Sequence, residues 1–236
     1  MIVTTEAIIL QIKPFAEQDA LVSVFSASDG KVKALARRQR KQAAALQPGN
    51  IGHMTWRRRL EHQLGTLTWE NSHAITALAF QDACHLQAVR YVTDILEAAL
   101  PEGHAYAAFY EKTAHFLQTL AAPHLPERLA LFELNLLTTI GYGLSLKPET
   151  AVPCTSGTPL MYVSPNTGRA VTQAMGEPYA DKLLPLPALF GGAYTAGQDT
   201  ENALHLTGFF LQRALQSRTL VQREQLVASL NMKDVG

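Results

Sequence analysis

Six of the twelve residues from Gly30 to Lys41 are cationic. Lys31 and Lys33 alternate with Val32, Ala34 and Ala36, and Arg37, Arg38, Arg40 and Lys41 follow with no acid among them. Guanidinium and ammonium groups at this density bind phosphate oxygens and release counterions. A second cluster, Arg57-Arg58-Arg59, lies further along, and Lys13 stands near an early aromatic, Phe15. An isolated basic run also serves simply to keep a surface solvated. Convergence of separate segments on one surface is therefore the deciding feature.

Reactive chemistry has fewer candidates. The eight histidines show no metal spacing: there is no HExxH, and His53, His62, His73 and His85 fall on different elements. The two cysteines, Cys84 and Cys154, form no CxxC pair. That usage suits a reducing compartment and predicts no structural disulfide. Cys154 would act as a nucleophile only beside a base, and the sequence names none. Gly141-Tyr142-Gly143 follows a helical segment and not a strand, so it reads as helix termination, not a phosphate loop. Glu127 and Glu133 read as exposed or end-of-helix carboxylates. These readings favour a binding protein with no cofactor and no catalytic residues.

A net charge of zero conceals an asymmetry. Residues 1–69 hold ten Lys/Arg against five Asp/Glu, or +5, and the remainder hold ten against fifteen, or −5. A basic module for a polyanion joined to a module with another task is the expected organisation. With 47% hydrophobic residues, the 236-residue chain can bury a core and is not broadly disordered. The N-terminal Met-Ile-Val-Thr-Thr-Glu lacks a basic region, so no secretory signal is expected. No apolar run approaches a membrane span.

The elements that must position the cations are short strands. Thr5–Ile12, Ala20–Phe25, Lys31–Ala36, Asn50–Trp56 and Leu64–Trp69 are the expected five. On the first, Ile8, Leu10 and Ile12 are expected to share a face, and Pro14 to end it. On the second, Leu21 and Phe25 oppose Val22 and Val24. Ser28-Asp29-Gly30 supplies a hairpin turn. Five short strands in about seventy residues predict a small closed barrel of the OB type. In that fold the strand 2–3 face and the 1–2 and 4–5 loops hold oligonucleotides. The candidate phosphate ligands Lys31, Lys33, Arg37, Arg38, Arg40, Lys41, Arg57, Arg58 and Arg59 then fall on one side. Phe15 and Trp56 are candidates for base stacking, with core packing the competing role.

From about residue 72 the apolar period becomes helical. Asp82–Leu100, Tyr106–Leu120 and Pro126–Ile140 are expected helices, the last apolar nearly all round. Lys147–Ala188 is rich in turn residues and contains a hairpin, Met161–Val163 with Arg169–Val171. Helices near Thr200–Gln216 and Val221–Leu230 close the chain. The fold class is therefore α+β: a barrel over 1–71 followed by a helical domain over 72–236 with an irregular insertion at about 147–188.

The order of these features resembles the RecO family of bacterial recombination mediators over nearly the whole chain. The similarity lies in EAIILQIKPFAEQDALVSVFSASDGKVKALARRQRK, then ALQPG, LGTLTWEN, LFELNLLTTIGYGLSL, YVSPNTGRAV and LLPLPALF. The resemblance implies an OB-fold that binds single- and double-stranded DNA, and annealing of complementary strands. It further implies loading of RecA, with a RecR partner, onto coated single strands, and a cytoplasmic, nucleoid-associated location. It also implies that the helical half receives the acidic tail of the single-stranded-DNA-binding protein, here at Arg128, Phe132 and Leu136. Those three are four residues apart and share a helix face. Two departures stand out. Some relatives carry a cysteine zinc site, whereas here Cys154 faces Gly157 at the partner position, so no zinc is expected. Ala130 and Leu131 occupy places where cations would grip the tail. The alternatives are an OB-fold RNA-binding or translation-associated protein and a hydrolase using Cys154 or a histidine. Single-stranded DNA against structured RNA separates the first, and turnover lost on replacing Cys154 the second.

Overall fold

The computed structural model of the chain describes residues 2–37, 45–59, 64–147, 159–193, 199–216 and 220–233. Five strands come first: β1 Ile2–Phe15, β2 Asp19–Ser26, β3 Gly30–Arg37, β4 Ile51–Arg57 and β5 Gly65–His73. They close a barrel in the order β1-β2-β3-β5-β4, antiparallel except for the β3–β5 pairing. This is the five-stranded OB arrangement expected from the strand pattern. Helices α1 Ile75–Ala79, α2 Ala83–Ala99 and α3 Ala107–Gln118 follow, then α4 Leu125–Thr139. The hairpin β6 Leu160–Val163 and β7 Ala170–Thr172 precedes α5 Gln173–Gly176, the short β8 Leu184–Pro185, α6 Asp199–Ala214 and α7 Val221–Lys233.

Two compact units result: Met1–Ala122 with Val221–Gly236, and Pro123–Leu220. In the first, small and β-branched residues fill the barrel. Ala7, Ile9, Val22, Val24, Val32 and Ala34 meet Met54, Trp56, Leu67 and Trp69 inside it. The outer face is not uniformly wet. Ile8, Leu10 and Phe25 point outward yet are buried. The Phe25 ring lies 6.1 Å from Phe109 and 5.6 Å, edge-on, from Tyr110, both on α3. α2 packs along β1, and α7 packs on α2.

Two details of β1 depart from the expectation. It runs through Pro14 to Phe15, because beyond Ile8 it pairs only with β2 and one of its sides is open. A residue without an N–H is tolerated on such an edge. The pairing also slips between Ile9 and Gln11. That bulge reverses the facing of the residues beyond it, so Ile12 packs on the inner cluster and not beside Ile8 and Leu10.

α2 starts where Asp82 accepts hydrogen bonds from the amides of Cys84 (2.8 Å) and His85 (3.4 Å). After it the chain runs beside β3. Glu102 bridges to Lys31, and the Gly103 amide donates to the Lys31 carbonyl at 2.9 Å. β5 pairs with β3 only at Ala34–Ala36, so this segment covers an edge that would otherwise be open. Gly30 makes the approach possible: its φ is +69°, and a methyl group there would overlap the His104 carbonyl.

The second unit is built on α4, which packs against α6. Glu133 of α4 is fully buried and accepts a hydrogen bond from Thr207 Oγ1 at 2.5 Å. Glu127 accepts one from Thr200 Oγ1 at 3.2 Å. Glu133 is thus not the exposed carboxylate expected, since a facing threonine supplies the donor a buried acid requires. α4 ends at Gly141, whose φ is +85°. The expected hairpin forms, and β8 adds a third strand to it, giving the order β7-β6-β8. Two residues, one of them proline, offered no strand pattern to detect.

Candidate nucleic-acid interface

Strand register decides which side chains share a surface. One row of paired residues crosses the barrel through Lys13, Leu21, Leu35, Thr66 and Arg57. A second joins Phe15, Asp19 and Arg37. The alternate positions Val22, Ala34, Ala36, Leu67 and Trp56 line the interior, so both rows face outward. Lys13, Phe15, Arg37, Thr66 and Arg57 are exposed, whereas Leu21 and Leu35 are half-buried. Arg59 continues the exposed set just beyond β4. The result is an apolar strip on β2 and β3 with cations from β1, β3 and β4 around it and one acid, Asp19. Phe15, 47% exposed at the β1–β2 turn, offers a ring for stacking. Cations beside an accessible aromatic suit an unpaired strand, with phosphates held by charge and bases by π-faces.

The remaining expected ligands divide into three groups. Arg38, Arg40 and Lys41 lie outside the described residues. Lys31 and Lys33 share the outward face of β3 with Leu35 and are engaged by the end of α2 and the residues after it. Lys31 is only 7% exposed, and its ammonium donates to the Glu97 carbonyl at 2.6 Å. Lys33 pairs with Glu102 at 2.5 Å, and the hydrogen bond it donates to that carboxylate holds its ammonium above the ordinary lysine range. Arg58 lies over the Trp56 ring, 4.3 Å from its centroid. Trp56 is 6% exposed and belongs to the core, so it is not a stacking platform for bases. Leu21, Leu35 and Thr66 are the members that motif reading overlooked. The signal was present in the parity of β2, where Leu21 opposes the inward Val22 and Val24.

On α4, Phe132 and Leu136 are buried in the second unit's core. Both side chains are therefore covered. A helix apolar nearly all round puts its i, i+4 neighbours inside as readily as on a docking face. Arg128 is half-buried, donates Nε–H to the Pro123 carbonyl at 3.1 Å, and has its pKa lowered by burial. Leu131, one residue around the helix from the buried set, is exposed. Cys154 and Gly157 lie outside the described residues. Among the described residues no three His, Cys, Asp or Glu side chains gather as a metal site would require. Also among them, no helix is long and apolar enough to cross a membrane.

Residues 1–73 match the family model described as Recombination protein O N terminal, and residues 81–224 the model described as Recombination protein O C terminal. The chain is 37% identical over 219 residues to the DNA repair protein RecO of Granulibacter bethesdensis, covering 89% of this chain and 86% of that one. It is 38% identical over 215 residues to the DNA repair protein RecO of Ruegeria sp., covering 89% and 88%. To that of Paracoccus denitrificans it is 38% identical over 211 residues, covering 88% and 85%.

Proposed function

The chain belongs to the RecO family of DNA repair proteins, and from that premise we propose that it acts as a recombination mediator. It binds single- and double-stranded DNA, anneals complementary strands and, with a RecR partner, helps load RecA onto coated single strands in the cytoplasm, at the nucleoid. The barrel over residues 1–71 is the DNA-binding domain, and residues 72–236 serve partners. The observation that carries this reading is the pair of adjacent outward rows that present Lys13 and Arg57, and Arg37, beside the half-buried Leu21 and Leu35. Cations that hold two strands together lower their mutual repulsion, so annealing needs no reactive group. Docking of the acidic tail of the single-stranded-DNA-binding protein on α4 uses Arg128 and the exposed Leu131, since Phe132 and Leu136 are inside.

Titration of a fluorescent single strand across a salt series tests the mechanism. With about five phosphates neutralised, log K is expected to fall against log salt with a slope of about −3.5. Replacing Arg37, Arg38, Arg40 and Lys41 together by alanine is expected to make that slope shallower by about 2.8, if each holds one phosphate. The loss is expected to be equal for all sequences, because phosphate contacts carry no base information. Far-UV circular dichroism stays unchanged. A salt-independent affinity, or preference for structured RNA over single-stranded DNA, overturns the reading.

A further inference from the structure

The arginine triplet at the end of β4 is not three equivalent cations. Arg57 points outward, paired across the ladders with Ile2 and Thr66. Arg59 is exposed just beyond the strand. Arg58 instead turns back, and its guanidinium covers the Trp56 ring at 4.3 Å. The same indole meets the far end of this connection. Gly65, the first residue of β5, lies so close that a methyl group would overlap Trp56 Nε1. One buried ring therefore meets the end of β4 and the start of β5: Arg58 stacks on its face, and the Gly65 backbone lies against its edge.

We infer that Trp56, clasped between Arg58 and Gly65, is a clip that positions the residues leaving β4 and the start of β5, so that Arg57 and Arg59 contact phosphate while Arg58 is a positioning residue. This rests on the DNA-binding reading above and assigns roles within it. A guanidinium stacks on an aromatic face as a plane, which the point charge of lysine does not reproduce. Charge and position are thereby separable.

The test compares the full-length Arg57→Ala, Arg58→Ala, Arg58→Lys and Arg59→Ala variants on one single-stranded oligonucleotide over a salt series, with tryptophan emission recorded without DNA. Arg57→Ala and Arg59→Ala are each expected to make the slope shallower by about 0.7 with unchanged emission. Arg58→Ala is expected to keep the wild-type slope, weaken binding about two- to fivefold at every salt concentration, and shift emission to the red as the indole loses its cover. The second tryptophan, Trp69, donates its indole N–H to Asn71 at 2.5 Å and serves as a constant background. Arg58→Lys keeps the charge and is expected to shift emission with the slope intact. A slope made shallower by about 0.7 in Arg58→Ala, with emission unchanged, overturns the assignment and makes Arg58 a phosphate ligand. Wild-type protein that shows no salt-dependent binding overturns the DNA reading instead. The emission arm then still decides whether the clip exists.

Discussion

Cutting the chain after residue 73 is expected to leave a barrel that neither stays folded nor stays in solution. A freestanding barrel needs a polar exterior, but here Ile8, Leu10 and Phe25 face outward and are 0–2% exposed. α2 lies along β1, and Phe109 and Tyr110 of α3 meet Phe25. Uncovering three such side chains forfeits about 5–9 kcal/mol of burial, which rivals the whole stability of a small domain, about 5–15 kcal/mol. Two polar attachments are lost as well: Ser23 Oγ donates to Glu97 at 2.5 Å, and Lys31 donates to the Glu97 carbonyl. Size-exclusion chromatography and circular dichroism on residues 1–73 read the outcome. A monodisperse, β-rich fragment would show that the helices only rest on the barrel. In the full chain, Phe25→Ala measures the same interface by itself, with an expected loss of about 3–5 kcal/mol in denaturant unfolding.

The second large effect lies in the other unit. Thr207→Val preserves shape but removes the hydroxyl that donates to the buried Glu133. An intramolecular hydrogen bond contributes about 0.5–1.5 kcal/mol net. The α4–α6 packing is therefore expected to weaken by about that amount in urea unfolding. Glu133→Gln retains an acceptor for Thr207, so it is expected to lose less than Thr207→Val. Equal stability of Thr207→Val and wild type would mean that another donor satisfies the carboxylate.

Much of the first unit was legible because strands advertise their faces through alternation. Val32, Ala34 and Ala36 pointed inward as their spacing required, and Asp82 announced the start of α2. The details the sequence hid share a cause: each depends on a neighbour distant in sequence. The β1 bulge reverses Ile12, and no residue between Ile9 and Gln11 marks it, since neither glycine nor proline is present. Lys31 resembles any exposed strand lysine until the residues ending α2, sixty-six positions away, are seen to receive it. Phe132 and Leu136 share a helix face with Arg128, but periodicity cannot say whether that face meets solvent or α6. Arg58 reads as one of three equal charges until Trp56 is found beneath it. The rows that present Lys13 and Arg57, and Arg37, needed the strand register, which the sequence pattern alone did not supply.

The return of α7 to the first unit has a consequence for synthesis. Cys84 of α2 meets the Ser229 carbonyl of α7 across 145 residues of chain. At ribosomal rates of about 5–20 residues per second, α2 emerges roughly 7–30 s before the helix that covers it. During that interval the growing polypeptide carries a barrel with an unfinished apolar flank, and the first part to be translated is the last to be completed. Limited proteolysis of ribosome-bound chains is expected to cleave α2 until the final helix has emerged. Protection that appears before α7 is made would show that nascent α2 is already shielded.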